Sequence, residues 1–274
     1  MRQHTEFLVL TGGEPTQHPE FRRVLTGLKD IRFRGVILTT NGLTTDHYLD
    51  EVAGSIHYLV FSLQAMHSGR GDAGYGRKGT HERVLANIDR AARHPKRKYE
   101  IIISSVLTPD NIPDMYEVYD YARKHGFRLA VCPQLLGVKA APGLACNPEY
   151  ERFFDFLISE KKRGASIQGT VDYLQYMRDL RKFSCHPFTM LVVSPAGNVF
   201  YPCLELGQFT GNLFDEPNLH ALRQRGLERL GPQPGCDTQC HSACALGFSR
   251  LLQNPGSLCH EAMLISRSRM KRLF

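Results

Sequence analysis

The sequence predicts an α/β protein with a second, smaller α+β domain. Two observations carry this. Short apolar runs alternate five times with amphipathic segments before about residue 165, the pattern of a parallel sheet or barrel with helices outside it. Six of the eight cysteines then fall within the last 90 residues, where the apolar periodicity fades. The boundaries expected are a barrel-like core over residues 1–165 and a cysteine-dependent domain with a β-hairpin over residues 175–274.

Phe7 to Leu10 reads as the first strand, and Thr11-Gly12-Gly13-Glu14-Pro15 as the turn that ends it. His18 to Asp30 reads as a helix, with Phe21, Val24, Leu25 and Leu28 on one face. Val36 to Thr39 is a second strand closed by Asn41-Gly42, and Thr44 to Val52 a second helix. Tyr58 to Ser62 is a third strand, and Ser68 to Gly79 a long glycine-rich loop. A helix follows over Thr80 to Ala92, then a continuously apolar strand over Ile101 to Val106, as befits one buried on both faces. A helix opening near Pro113 ends at His125 before Gly126, a suitable C-terminal cap. Leu129 to Cys132 is a fifth strand and Tyr150 to Lys162 a further helix. Right-handed crossovers place the loops that follow the strands on one edge, where ligands of such sheets bind. Beyond residue 175, Met190 to Val193 and Asn198 to Tyr201 flank Ser194-Pro195-Ala196-Gly197, a hairpin signal, and Leu219 to Leu230 reads as a helix.

With 42% hydrophobic residues, 15 Phe and 11 Tyr in 274 residues, the chain buries a real core and is not a disordered one. The net charge of +7 is spread in short basic knots. That suits a solvated surface, and a nucleic-acid partner is not expected. No stretch approaches the roughly 18 apolar residues of a membrane span, and no signal-peptide pattern opens the sequence. A cytoplasmic location is therefore expected, with no membrane partner.

In a reducing compartment, dense cysteines indicate a metal or an iron–sulfur cluster rather than disulfides. The candidates are Cys185, Cys203, Cys236, Cys240, Cys244 and Cys259. Cys236, Cys240 and Cys244 recur every fourth residue, a spacing that puts thiolates on one helix face or lets a loop converge them. Four thiolates suit a [4Fe–4S] cluster and suit zinc equally, and His241 and His260 are further zinc donors. Buried free cysteines are the bland alternative. Cys132 and Cys146 stand alone and read as structural.

The run Leu10-Thr11-Gly12-Gly13-Glu14-Pro15 resembles the GGEP motif of radical S-adenosylmethionine (SAM) enzymes. Later marks agree in order: Thr40-Asn41-Gly42, Phe61-Ser62-Leu63, the helix-opening run from Gly79 to Ile88, and Asn111. The C-terminal part resembles the twitch or SPASM extension that carries auxiliary iron–sulfur clusters. Cys185, Gly197 and Cys203 follow its pattern, with one residue more than usual between the glycine and the second cysteine. The resemblance spans about residues 6 to 260.

This resemblance implies a partial TIM-type (β/α) barrel. It also implies a chemistry: a reduced [4Fe–4S] cluster cleaves SAM to a 5′-deoxyadenosyl radical, which takes hydrogen from a peptide or small-molecule substrate. Flavodoxin or ferredoxin is the kind of electron donor implied. SAM-binding residues carried over are Gly12, Gly13, Glu14, Pro15, Asn41, Ser62 and Ser104; either the Glu14 carboxylate or the turn carbonyls would accept from the SAM amino group. The auxiliary site would draw on the six C-terminal cysteines, with zinc as the alternative occupant. One departure stands out. The family's CxxxCxxC loop, which follows the first barrel strand and holds the SAM-cleaving cluster, has no counterpart, because no cysteine precedes Cys132. The expectation is a barrel missing its first strand, a truncated radical SAM protein that is inactive as this chain. A non-catalytic radical-SAM-like binding protein and a zinc-stabilised binding module are the alternatives.

Overall fold

The computed structural model describes residues 5–186, 190–201, 203–232, 240–259 and 261–262. The chain divides into two compact units. One runs up to Val131 and includes Ser166–Gln168; the other comprises Cys132–Ala165 and the residues from Gly169 onward.

The first unit is built on a five-stranded sheet in sequence order: β1 (Phe7–Leu10), β2 (Gly35–Thr40), β3 (Tyr58–Ser62), β4 (Glu100–Leu107) and β5 (Arg128–Pro133). β1 to β4 pair in parallel, with Leu10 opposite Leu38, Thr40 opposite Phe61 and Ser62 opposite Ser104. Beyond β5, Leu129 bridges in parallel to Ile167: its N–H donates to Ser166 O (3.0 Å) and its carbonyl accepts from Gln168 N (2.7 Å).

Strand periodicity sorts the side chains into two faces. Val36, Leu38, Leu59, Phe61, Ile101 and Ile103 are buried, on the face the helices cover. On the other face Val60 and Ile102 are buried at the middle of the sheet, while Phe7 and Val9 on the edge strand are 52% and 46% exposed.

The connecting helices are α1 (Phe21–Ile31), α2 (Leu49–Ser55), α3 (Ser68–Tyr75), α4 (Thr80–Arg93) and α5 (Asp114–Lys124). α1 buries Phe21, Leu25 and Leu28 at the spacing of one helical face, and Ser55 Oγ of α2 donates to the Leu25 carbonyl (2.8 Å).

α3 corrects the reading of Ser68 to Gly79 as loop. Three of its eight residues are glycines, a poor composition for a helix, and tertiary contacts hold it. Arg70 forms a bidentate pair with the buried Asp114 (2.7 Å to each oxygen). The Asp72 carboxylate accepts from Gly79 N (2.7 Å) and His81 N (2.9 Å). Gly71 packs on the His81 ring, where a Cβ would overlap Nδ1.

In the second unit, a small hairpin of β6 (Leu135–Leu136) and β7 (Lys139–Ala140) precedes α6 (Pro148–Lys162) and α7 (Val171–Arg178). Asn147 caps α6 by accepting from Glu149 N and Tyr150 N, and Thr170 caps α7 by accepting from Tyr173 N. The hairpin read from the sequence differs in its main partner. β8 (Asn198–Tyr201) pairs antiparallel with β9 (Gln208–Asn212), on the far side from the expected mate. Residues 192–194 still fold back on β8 through Ser194 N to Asn198 O (2.8 Å) and Phe200 N to Val192 O (2.9 Å). α8 (Leu219–Leu230) follows, then α9 (Ala243–Gln253). α9 is fixed to α7 by Arg250, which pairs with Asp172 (2.8 Å) and lies 4.1 Å over the Tyr176 ring. The Lys161 ammonium of α6 meets Glu261 (2.9 Å), whose carboxylate also accepts from Val171 N (2.9 Å).

Candidate functional site

The turn after β1 is organised by one carboxylate. Glu14 Oε1 accepts from the Thr16 N–H (3.1 Å), the Thr16 hydroxyl (2.6 Å) and the Thr40 hydroxyl (2.7 Å). Glu14 Oε2 accepts from the Asn41 N–H (2.6 Å). A sequence view sees an acid at the mouth of a site; the geometry shows its oxygens already used to join the loops after β1 and β2. Gly12 adopts φ +134°, closed to other residues, and a Cβ on Gly12 or Gly13 would meet nothing within 4 Å. The open space beside the two glycines lets a ligand approach their backbone.

Asn41 closes a local turn, its Oδ1 accepting from Leu43 N (2.9 Å). Ser62, the last residue of β3, lies opposite Ser104, which stands inside β4 three residues before its end, and both are partly open. Ser105 is fully buried on the other face and donates to Leu63 O (2.6 Å). Gly12, Gly13, Glu14, Pro15, Asn41 and Ser62 therefore stand where strands β1 to β3 end or just beyond, and Ser104 lies within β4 opposite the end of β3. Sequence reasoning missed Tyr75. From the last turn of α3, its hydroxyl donates to the Ser62 carbonyl (2.6 Å), and burial, then the Glu14 charge, raise its ionisation to about 12. Only the tertiary fold of the glycine-rich segment brings this residue to the edge.

The first half of the chain matches the family model described as Radical SAM superfamily over residues 1–132. The matched stretch is just under half of the 274 residues. Its sheet edge carries the residues just described. In fold, the chain resembles Streptococcus suis SuiB, solved bound to its precursor peptide SuiA: TM-score 0.61 and 18% identity, covering 79% of this chain and 53% of that one. The chain thus spans about half the length of that relative. A domain of a pyruvate-formate lyase-activating enzyme from Bacteroides vulgatus ATCC 8482 matches at TM-score 0.46 and 17% identity, over 58% of this chain and 96% of that one. No curated protein matches the sequence. No described helix is long and apolar enough to cross a membrane.

Among the six C-terminal cysteines, Cys236 lies outside the described residues, as does His260. Among the described residues, no three His, Cys, Asp or Glu side chains are gathered as a metal site, and none of the seven described cysteines is in a disulfide. Cys240 Sγ accepts from the Ser242 N–H (3.3 Å), the kind of bond that supports a thiolate. Burial pushes the Cys203 thiol up to about 11. Cys185 lies on the segment that meets α9, since the next residue's N–H, that of His186, donates to Ser249 Oγ (2.9 Å). Cys259 is exposed near the end of the described chain. His241 is engaged at both nitrogens: Nδ1 accepts from Ala140 N (2.7 Å) and Nε2 lies 3.2 Å from Leu180 O.

Proposed function

We propose that the chain is the SAM-binding and auxiliary-cluster part of a radical SAM enzyme that modifies a peptide or small molecule. The observation that carries this reading is the ordered edge at the strand ends, with GGEP held by Glu14 inside a domain that matches the superfamily. When bound, a reduced [4Fe–4S] cluster supplies the electron that splits SAM into methionine and a 5′-deoxyadenosyl radical. The chain's own residues position the substrate of that step. Carbonyls of the Gly12–Gly13 turn accept from the amino group, Glu14 fixes that turn rather than touching the ligand, and the Ser62 and Ser104 hydroxyls face the adenosine side. A peptide substrate is supported by SuiB, which was solved with its precursor peptide. No residue before Cys132 supplies a thiolate for the SAM-cleaving cluster, so the 274 residues alone bind but do not cleave SAM. In the C-terminal domain, Cys185, Cys203 and two of Cys236, Cys240 and Cys244 furnish the four thiolates of one auxiliary cluster, with Cys259 in reserve.

The test is iron, acid-labile sulfide and zinc per chain on protein purified without oxygen, with 5′-deoxyadenosine assayed after reduction. Iron and sulfide in equal amount, without 5′-deoxyadenosine, is the expected result. Zinc without sulfide would overturn the cluster and leave a zinc-stabilised binding module; 5′-deoxyadenosine formed by this chain would overturn its inactivity.

A further inference from the structure

The carbonyl of Ser62 stands one residue past the end of its neighbour β2, whose last residue, Thr40, pairs with Phe61. The next two N–H groups beyond β2 are taken elsewhere: that of Asn41 by Glu14 Oε2 (2.6 Å) and that of Gly42 by Thr40 Oγ1 (3.1 Å). The Tyr75 hydroxyl, carried on α3, donates to the Ser62 carbonyl instead, at 2.6 Å. A phenol thus occupies a strand-end acceptor among the residues assigned to the ligand.

The element that carries Tyr75 is lightly attached. The one buried residue of α3 is Gly71, so apart from the half-buried Tyr75 ring it sets no apolar side chain against the core. Elements with few buried apolar contacts open at low cost, and active-site lids are drawn from them. The attachments of α3 are polar. Arg70, itself exposed, clasps the buried Asp114, Asp72 accepts from Gly79 N and His81 N, and Tyr75 holds Ser62. Asp114 lies in the first turn of α5, where the helix dipole favours a carboxylate. That lowers the cost of releasing Arg70.

We propose that α3 is a gate over the strand ends and that Tyr75 is its placeholder. In the ligand-free chain the Tyr75 hydroxyl holds the Ser62 carbonyl, and a hydroxyl or amino group of the adenosine part of the ligand takes that acceptor on binding. This rests on the SAM-binding reading above. Binding then includes moving α3 aside, and the apparent affinity is reduced by the fraction of chains whose gate is shut. Loosening the gate therefore moves two quantities in opposite directions: the fold loses stability while the ligand binds more tightly. Loss of a merely structural contact weakens binding or leaves it unchanged.

The test titrates the full chain and its Tyr75→Phe and Arg70→Gln variants with SAM by calorimetry, and follows amide exchange of each by mass spectrometry. Tyr75→Phe should bind SAM about threefold to tenfold more tightly, the worth of one neutral hydrogen bond, and Arg70→Gln should shift in the same direction. In the ligand-free parent, the amides of Gly71 to Tyr75 should exchange well before those of β3 and β4, and saturating SAM should speed them further. Tyr75→Phe removes a single oxygen, so it decides the matter if Arg70→Gln misfolds by circular dichroism. Unchanged or weaker SAM binding by Tyr75→Phe would overturn the placeholder role while leaving SAM binding intact. Exchange in α3 as slow as in β3 would overturn the gate. A parent chain that binds no SAM would overturn the SAM-binding reading and this proposal with it.

Discussion

The Asn41 N–H donates to Glu14 Oε2 at 2.6 Å, so the end of β2 is held by a side chain from the turn after β1. With the Thr16 and Thr40 hydroxyls on Oε1, one acid sets the relative height of two loops at the ligand-binding edge. Replacing it by alanine removes the acceptor for four donors at once. Hydrogen bonds to charged groups are worth about 1.5–3 kcal/mol. Glu14→Ala should therefore lower the unfolding free energy by about 2–3 kcal/mol, with Glu14→Gln in between, measured by urea denaturation of the cofactor-free chain. A loss under about 0.5 kcal/mol would mean that water replaces the acid without cost.

Tyr75 gives a pH-dependent signature. Burial raises its phenol to about 12, above the unfolded value near 10. Its contribution is complete below pH 10 and is lost as pH rises from 10 towards 12, because the unfolded chain gives up the proton first. Tyr75→Phe should cost about 1 kcal/mol near neutral pH, through the lost bond to Ser62 O. The gap to the parent should close above pH 10. Urea melts of the two proteins across that range check it, and a gap independent of pH would refute the assignment.

Gly71 is a steric requirement. A Cβ there would overlap the His81 ring, whose Nδ1 is buried and has no hydrogen-bond partner among the described residues. Gly71→Ala should destabilise the first unit by about 1–3 kcal/mol and speed amide exchange through α3. Unchanged exchange at Asp72 to Tyr75 would show that α3 is not held by this contact.

The order of thiol labelling is a fourth expectation. Burial pushes the Cys132 thiol up to about 11, whereas Cys146 is exposed. Only the thiolate reacts, so maleimide near neutral pH should modify Cys146 well before Cys132, as read by mass spectrometry of the cofactor-free chain. Equal rates would mean that Cys132 is reached by solvent in an open form.

Much of the first unit was legible because its signals are local. Ile101 to Ile103 announce a buried strand, Phe21, Leu25 and Leu28 a helix face, and Gly12-Gly13-Glu14-Pro15 a shaped turn. What stayed hidden depends on partners far along the chain. α3 contradicts its own three glycines because Asp114, 44 residues on, grips Arg70. The internal use of Glu14 could not be read, since its donors at Thr40 and Asn41 arrive only when β2 lies beside β1. β9 was missed because Gln208 to Asn212 is polar and carries Gly211, so neither alternation nor β-branching marked it.

The ion pair between Lys161 and Glu261 has a consequence for handling the protein. Both side chains are largely shielded, at 9% and 14% exposure, and losing one partner of a shielded pair costs far more than the pair itself contributes. Glu261 therefore ties the end of α6 to the start of α7 in the second unit. A version shortened to residue 260, or nicked there by a protease, would take away the countercharge of Lys161 and the acceptor for the first turn of α7.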